Sequence, residues 1–249
     1  MNILVTAGNT LTMIDQVRAI TNIFTGRTGA RIALTCQQRG HAVALLTSHP
    51  EVVAELTDTP PTRCWQVQTY RTFEDLRQRM EQSIRSDDFD AVIHCAAVSD
   101  FRCAGVYAPA EHTYFEADDG SWRSRDDQPP ALQDRAKGKV KSDIPELWLR
   151  LLPTPKLIDF IRQPWGFTGI LVKFKLEVGV SERQLQVIAE RSLRQSQADL
   201  IVANTLEGAR TWALLGPARR NTYQKVPRHD LADRLLDQVE RLHQERPRG

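Results

Sequence analysis

Five short apolar runs, separated by stretches of helical period, constrain this chain more than any other feature. They are residues 2–6 (NILVT), 42–46 (AVALL), 91–95 (AVIHC), 169–176 (GILVKFKL) and 199–203 (DLIVA). Runs that stay largely apolar, instead of alternating with polar residues, mark strands covered on both faces, the situation of a parallel sheet. Between them the period lengthens. Residues 28–39 put Ala30, Ile32, Ala33 and Cys36 on one helical face and stop at Gly40, a C-terminal cap. Residues 72–85 begin at a Thr cap, 181–197 at a Ser cap, and 230–242 form a closing amphipathic helix. A short helix is expected at 156–162 and a strand at 147–152. Residues 65–70 alternate and predict a more exposed strand. Residues 211–215 and 222–226 predict a β-hairpin around Gly216-Pro217. The whole predicts an α/β fold with a doubly wound, mostly parallel, Rossmann-like sheet. Residues 1–249 are read as a single α/β domain. The rhythm stops only at 102–136, a polar stretch without period that is expected to be either a functional lid or a disordered loop.

Bulk properties exclude several function classes. The 33 basic residues are balanced by 31 acidic ones, a net charge of +2, which predicts neither a nucleic-acid nor a membrane partner. No apolar run approaches the roughly 20 residues of a membrane span, and the opening MNILVTAG reads as a buried strand rather than a signal peptide. Cys36, Cys64, Cys95 and Cys103 form no CxxC pair. Cys36 and Cys95 are expected in the core, and a reduced, cytoplasmic setting is the default. The six histidines are scattered, so no metal cluster is expected, and His94 is read as a satisfied core residue.

Chemistry-bearing residues gather where strands end. The first strand runs into Gly8 and Thr10, a turn whose backbone N–H groups suit phosphate, although it is not the GxGxxG fingerprint. In the next segment Arg18 offers a fork-shaped cation and Asn22 an amide for a developing oxyanion, with Gly26 and Gly29 at the start of a helix. Spacing alone favours a capped loop, with Asn22 in a turn and Arg18 on the surface. The fourth strand ends at Ala96 and Ala97, small enough to admit a base or ribose, followed by Asp100, a hydrogen-bond acceptor or a helix cap. Lys137, Lys139 and Lys141 alternate, so an extended segment would point all three one way, toward a triphosphate or into solvent. Phe174 is either a platform for a base or core. Lys173 and Lys175 give their strand a polar face, and Asn204 ends the later strand.

Taken in order, the segments VTAGNT, DQVRAITN, TGRTG, RGHAVALLTS, AAVSDF, KVKS, LLPTPKLID, VKFKLEVGVSE and ADLIVAN resemble the phosphopantothenoylcysteine synthetase family over most of the chain. The resemblance implies a ligase that activates 4′-phosphopantothenate as an acyl-nucleotidylate with CTP or ATP and Mg²⁺, then couples it to cysteine. It implies that Asn22 contacts the acyl intermediate and that Lys139, or Lys137 in a shifted register, contacts phosphates. Lys141, Gly8, Thr10, Ala96, Ala97, Asp100, Phe174 and Asn204 would serve the nucleotide, and Arg18 and Gly26 the phosphopantothenate. It also implies a homodimer in the cytoplasm. The chain departs from the family pattern at Asn9, at Phe24 and at Ser142, which keeps a non-catalytic nucleotide-binding homologue as the alternative. A short-chain NAD(P) oxidoreductase fits less well, because the residues four beyond Tyr70, Tyr107, Tyr114 and Tyr223 are Glu74, Glu111, Asp118 and Pro227 rather than Lys.

Overall fold

The computed structural model describes residues 1–58, 64–135, 140, 143–217 and 222–246, which divide into two compact units. The first comprises Met1–Thr10, Ile23–Val98 and Lys156–Gly249. Its sheet starts with β1 (Asn2–Ala7) and continues through α1 (Arg27–Gln38), β4 (Ala42–Thr47), α2 (Glu51–Leu56), β5 (Trp65–Thr69), α3 (Phe73–Ser86) and β6 (Ala91–His94). After the second unit come α4 (Leu157–Arg162), β12 (Ile170–Glu177), α5 (Glu182–Ser196), β13 (Leu200–Thr205), β14 (Trp212–Gly216), β15 (Gln224–Pro227) and α6 (Leu231–Glu245). The eight strands lie in the order β15-β14-β13-β12-β6-β1-β4-β5. The six from β13 to β5 are parallel, and β14 and β15 add antiparallel to the β13 edge. This is the doubly wound α/β arrangement with a hairpin extension.

The apolar runs are buried on both faces, as their lack of alternation requires. Ile3, Val5 and Ala7 of β1 join the cluster beneath α1 and α6, while Leu4 joins the one beneath α3 and α4. Ile93 and Val92 of β6, and Val172 and Leu171 of β12, divide in the same way. Deleting one such side chain to Ala costs about 2–5 kcal/mol. The helix starts follow the sequence signals. Thr72 and Asp75, and Ser181 and Gln184, close reciprocal capping boxes at α3 and α5. Gly40 follows α1 at φ 82°. The alternating strand β5 is the exposed edge. Lys173 departs from its expected polar surface: it is 7% exposed, and its Nζ donates to the Ser192 carbonyl (2.9 Å) and Ser196 Oγ (3.0 Å) of α5.

The second unit comprises Leu11–Asn22 and Ser99–Pro155. It corrects the expectation of a structureless insert. β2 (Leu11–Met13) and β3 (Ala19–Thr21) form a hairpin. β7 (Phe101–Pro109) pairs antiparallel with β10 (Leu132–Asp134) and β11 (Trp148–Pro153), and β8 (Thr113–Glu116) pairs with β9 (Ser121–Ser124). Its strands are half-exposed, so they lack the long apolar runs that announce buried ones. Phe115, Trp122 and Trp148 pack as a triad with ring centroids 4.6–5.2 Å apart, bringing together residues from β8, β9 and β11.

Candidate functional site

In the first unit the chain winds from β1 through β4 to β5 on one side and from β6 through β12 to β13 on the other. The carboxyl ends of β1 and β6 are therefore the switch point, where diverging connections leave a crevice. Backbone packs against backbone there. Gly8 has φ 91°, and a Cβ on it would stand 2.1 Å from Ser48 Oγ. Gly26 has φ 80°, and its Cβ would stand 2.2 Å from the Gly8 nitrogen. Only glycine fits either position. The Ala97 N–H donates to the Gly8 carbonyl (2.8 Å), the Asn9 N–H to Ser48 Oγ (2.9 Å), and the buried Tyr70 hydroxyl to the Ala7 carbonyl (2.6 Å).

His94 is part of this support, as expected of a satisfied core histidine. Thr6 Oγ1 accepts from the Ala96 N–H (3.2 Å) and lies 2.9 Å from His94 Nδ1. Burial, and then the nearby Lys173 charge, lower the His94 pKa to about 4, so the ring is neutral.

A cavity of about 390 Å³ opens at the switch point. It brings together six of the residues singled out in the sequence: Gly8, Gly26, Ala96, Ala97, Phe174 and Asn204. Phe174 both packs against the core and lines the cavity. Helix α1 begins here at Gly26, with no side-chain cap and no acidic residue in its first turn. Its first N–H groups and the positive end of its dipole favour an anion. Cys95, Arg27 and Arg228 also line the cavity and were not among the expected site residues. Cys95 is only half-buried rather than core, and burial pushes its thiol up to about 12, so it is protonated. Arg27 pairs with Glu55. Arg228 donates to the Thr28 hydroxyl across 200 residues of sequence, a juxtaposition with no local signal. Thr10 is buried but does not line this cavity.

Arg18, Asn22 and Asp100 belong to the second unit. Arg18 holds Asp15 through Nη2 (2.7 Å) and Nε (3.1 Å), and Nη2 also donates to the Val140 carbonyl (2.8 Å). The Arg18 guanidinium, with the N–H groups of Val17 and Arg18, holds the Asp15 carboxyl far below the usual carboxylate range. Arg18 Nη1 makes no hydrogen bond among the described residues. Asn22 is half-buried and Asp100 exposed. Lys137, Lys139 and Lys141 lie outside the described residues. This unit has its own cavity of about 730 Å³, where Arg125 and Arg135 are accompanied by Asp134, Asp143 and Glu146, a lining of mixed charge.

Residues 1–110 match the model of the DNA/pantothenate metabolism flavoprotein C-terminal domain family. The chain is 32% identical over 249 residues to the coenzyme A biosynthesis bifunctional protein CoaBC of Thermococcus kodakarensis, covering 96% of this chain and 51% of that protein. It is 26% identical over 204 residues to the CoaBC of Methanocaldococcus jannaschii, covering 82% and 40%. The chain thus spans about half or less of the length of these relatives. The crystal structure of the DNA/pantothenate metabolism flavoprotein from Streptococcus pneumoniae is similar at 29% identity, with a TM-score of 0.75 over 98% of this chain and all of that one. A Cab2 variant solved in complex with phosphopantothenate-cysteine shares the fold at 15% identity, with a TM-score of 0.66 over 98% of this chain and 86% of that one.

Proposed function

From the match of residues 1–110 to the DNA/pantothenate metabolism flavoprotein C-terminal domain family and the likeness to CoaBC proteins, we propose that this chain is a phosphopantothenate–cysteine ligase of coenzyme A synthesis. In the proposed reaction the carboxylate of 4′-phosphopantothenate attacks the α-phosphorus of CTP or ATP. The bond from that phosphorus to the bridging oxygen breaks, and its electron pair leaves on pyrophosphate. The amine of cysteine then attacks the acyl carbon, the nucleoside monophosphate departs, and the amide remains.

The observation that carries this reading is the switch-point cavity, with an uncapped helix start and a strand-end glycine turn on one wall and an aromatic ring on another. Gly8 and Gly26 let the strand-end turn and the start of α1 pack backbone against backbone at this cavity, where free backbone N–H groups would suit a phosphate. Phe174 offers its ring to the base, Asn204 an amide, and Ala96 and Ala97 leave room for the sugar. Asp100 serves the nucleotide, and Thr10 supports the turn. Asn22 is assigned to the acyl oxygen, where charge develops as the amine adds. Lys139 is assigned to the phosphates, with Lys137 and Lys141 beside it. Arg18 is assigned to the phosphopantothenate through Nη1, which bonds no group among the described residues. Among the described residues no group of three or more His, Cys, Asp or Glu could hold a metal ion. Mg²⁺, if it accompanies the nucleotide, would supply neutralisation of the triphosphate charge. A homodimer completes the proposal. Among the described residues no helix is long and apolar enough to cross a membrane.

The test is pyrophosphate release from purified protein given 4′-phosphopantothenate, cysteine, Mg²⁺ and either CTP or ATP. Release that requires phosphopantothenate supports the ligase, and the better nucleotide identifies the base. A folded protein that binds nucleotide but releases nothing refutes it in favour of the non-catalytic homologue.

A further inference from the structure

Asn9 is buried, yet it does not line the switch-point cavity. Its side chain turns instead toward the end of β4. Asn9 Oδ1 accepts from Ser48 Oγ (3.1 Å), and the Asn9 N–H donates to that same hydroxyl (2.9 Å), so the two residues close a reciprocal pair. His49 Nε2 stands 3.3 Å from Asn9 Oδ1, and His49 Nδ1 stands 2.8 Å from Glu51 Oε1. A carboxylate accepts and cannot donate, so the contact with Glu51 sets the orientation of the ring. Backbone fixes where that ring is placed. The His49 N–H donates to Thr47 Oγ1 (3.1 Å), and its carbonyl accepts from the Val52 N–H (3.2 Å). Pro50, at φ −63° before α2, restricts the His49 backbone further. On the opposite side, Asn9 makes an isolated parallel bridge with Ala97, and the Ala97 N–H donates to the Gly8 carbonyl (2.8 Å). Gly8 and Ala97 both line the cavity. A chain of contacts therefore runs from Glu51 through His49 and Asn9 to the backbone of the cavity wall, all of it inside the first unit.

We propose that His49, oriented by Glu51, is a positioning residue that clamps the Asn9 side chain and so fixes the turn after β1 against the end of β6. Gly8 has no side chain with which to hold that turn, and Asn9 supplies one. His49 does not line the cavity, so it acts through Asn9 rather than on a substrate. The inference rests on the proposed ligase reading only for what the cavity binds. The clamp itself belongs to the unliganded chain and is measurable there.

The experiment is amide hydrogen exchange of the unliganded protein, read residue by residue by NMR. In His49→Ala the Ala97 amide should exchange about tenfold faster than in wild type, because opening of the turn releases its bond to Gly8, while the amides of Val92 and Ile93 in the same strand keep their rates. His49→Gln, whose amide nitrogen reaches where Nε2 stood, should restore most of that protection. In an Asn9→Ala background, His49→Ala should have no further effect, since the group it clamps is gone. In the pyrophosphate-release assay, His49→Ala should raise the nucleotide KM about tenfold with kcat little changed, because a loosened wall weakens ground state and transition state alike. Should His49→Ala unfold, Glu51→Ala at an exposed position gives the same comparison. Equal Ala97 exchange in wild type and variant, or the same effect of His49→Ala with and without Asn9, overturns the inference. Faster Ala97 exchange in a protein that releases no pyrophosphate upholds the clamp while refuting the ligase, so the two readings fail independently.

Discussion

Replacing Gly26 by Ala tests whether the switch-point cavity is built by backbone contact. Two positions share nearly the same backbone: Gly26 at φ 80° and Gly40 at φ 82°. They differ in surroundings. A Cβ at Gly40 meets nothing within 4 Å, whereas at Gly26 it lies 2.2 Å from the Gly8 nitrogen and 2.8 Å from Gly8 Cα. Gly40→Ala therefore carries only the left-handed penalty of about 1–2 kcal/mol, partly offset by the lost freedom of the unfolded chain. Gly26→Ala carries the same penalty plus an overpacking cost of about 1–3 kcal/mol. Ordinary contact begins near 3.5 Å, so the loop must retreat from β1 by about 1 Å. A misplacement of that size costs on the order of 100-fold in catalysis. Urea unfolding of both variants, with nucleotide affinity measured on each, makes the comparison. Gly40→Ala should lose about 1 kcal/mol and no affinity, and Gly26→Ala about 2–4 kcal/mol with most of its affinity. Equal stabilities and unchanged nucleotide binding would refute the close approach and the cradle argued from it.

Three further outcomes are expected. His94 titrates at about 4 when folded, against 6.5 as its ordinary value; the unfolded chain thus takes up a proton that the folded chain refuses as pH falls from 6.5 to about 4. This contribution is fully present above 6.5 and is lost through that window, about 3 kcal/mol at roughly 1.4 kcal/mol per pKa unit. Urea midpoints of wild type and His94→Asn across pH 7 to 4 should diverge in slope, and parallel curves would remove His94 from the balance. Tyr70→Phe deletes the buried bond to the Ala7 carbonyl (2.6 Å) and should cost about 1–3 kcal/mol by denaturation, because the carbonyl is left without that donor; a neutral result would mean that water or a neighbour replaces it. Lys139→Ala should cut turnover sharply in a folded protein, and Asn22→Asp should lower turnover more than nucleotide affinity; full activity in either variant removes that residue from the proposed site.

Part of the site was legible in the chain because strand ends in a doubly wound sheet converge by topology. Once 2–6, 91–95, 169–176 and 199–203 are buried parallel strands, their carboxyl ends meet at one edge. Gly8, Ala96, Ala97, Phe174 and Asn204 follow those strands or sit within them. Gly26 could be read as the start of α1. The basic segment at Lys137, Lys139 and Lys141 was equally visible as sequence, but it lies outside the described residues. Arg228 and Arg210 could not be read. Nothing near either residue in the chain distinguishes it from a surface arginine, and the contact of Arg228 with Thr28 joins the two ends of the first unit.

What the sequence determined by itself was the set of elements whose environment is uniform: strands buried on both faces, helices with one apolar stripe, and starts marked by Thr72 and Ser181. Those signals are local because burial and capping act within a few residues. The tertiary structure alone decided the rest. It made β7 to β10 from a stretch without period, since half-exposed strands carry no continuous apolar run and their aromatic triad comes from three separate strands. It buried Lys173 against α5, because the partner that satisfies its ammonium lies on another element. It also gathered four arginines, Arg27, Arg31, Arg210 and Arg228, into one cavity, because charge placed by long-range packing has no spacing in the chain to betray it.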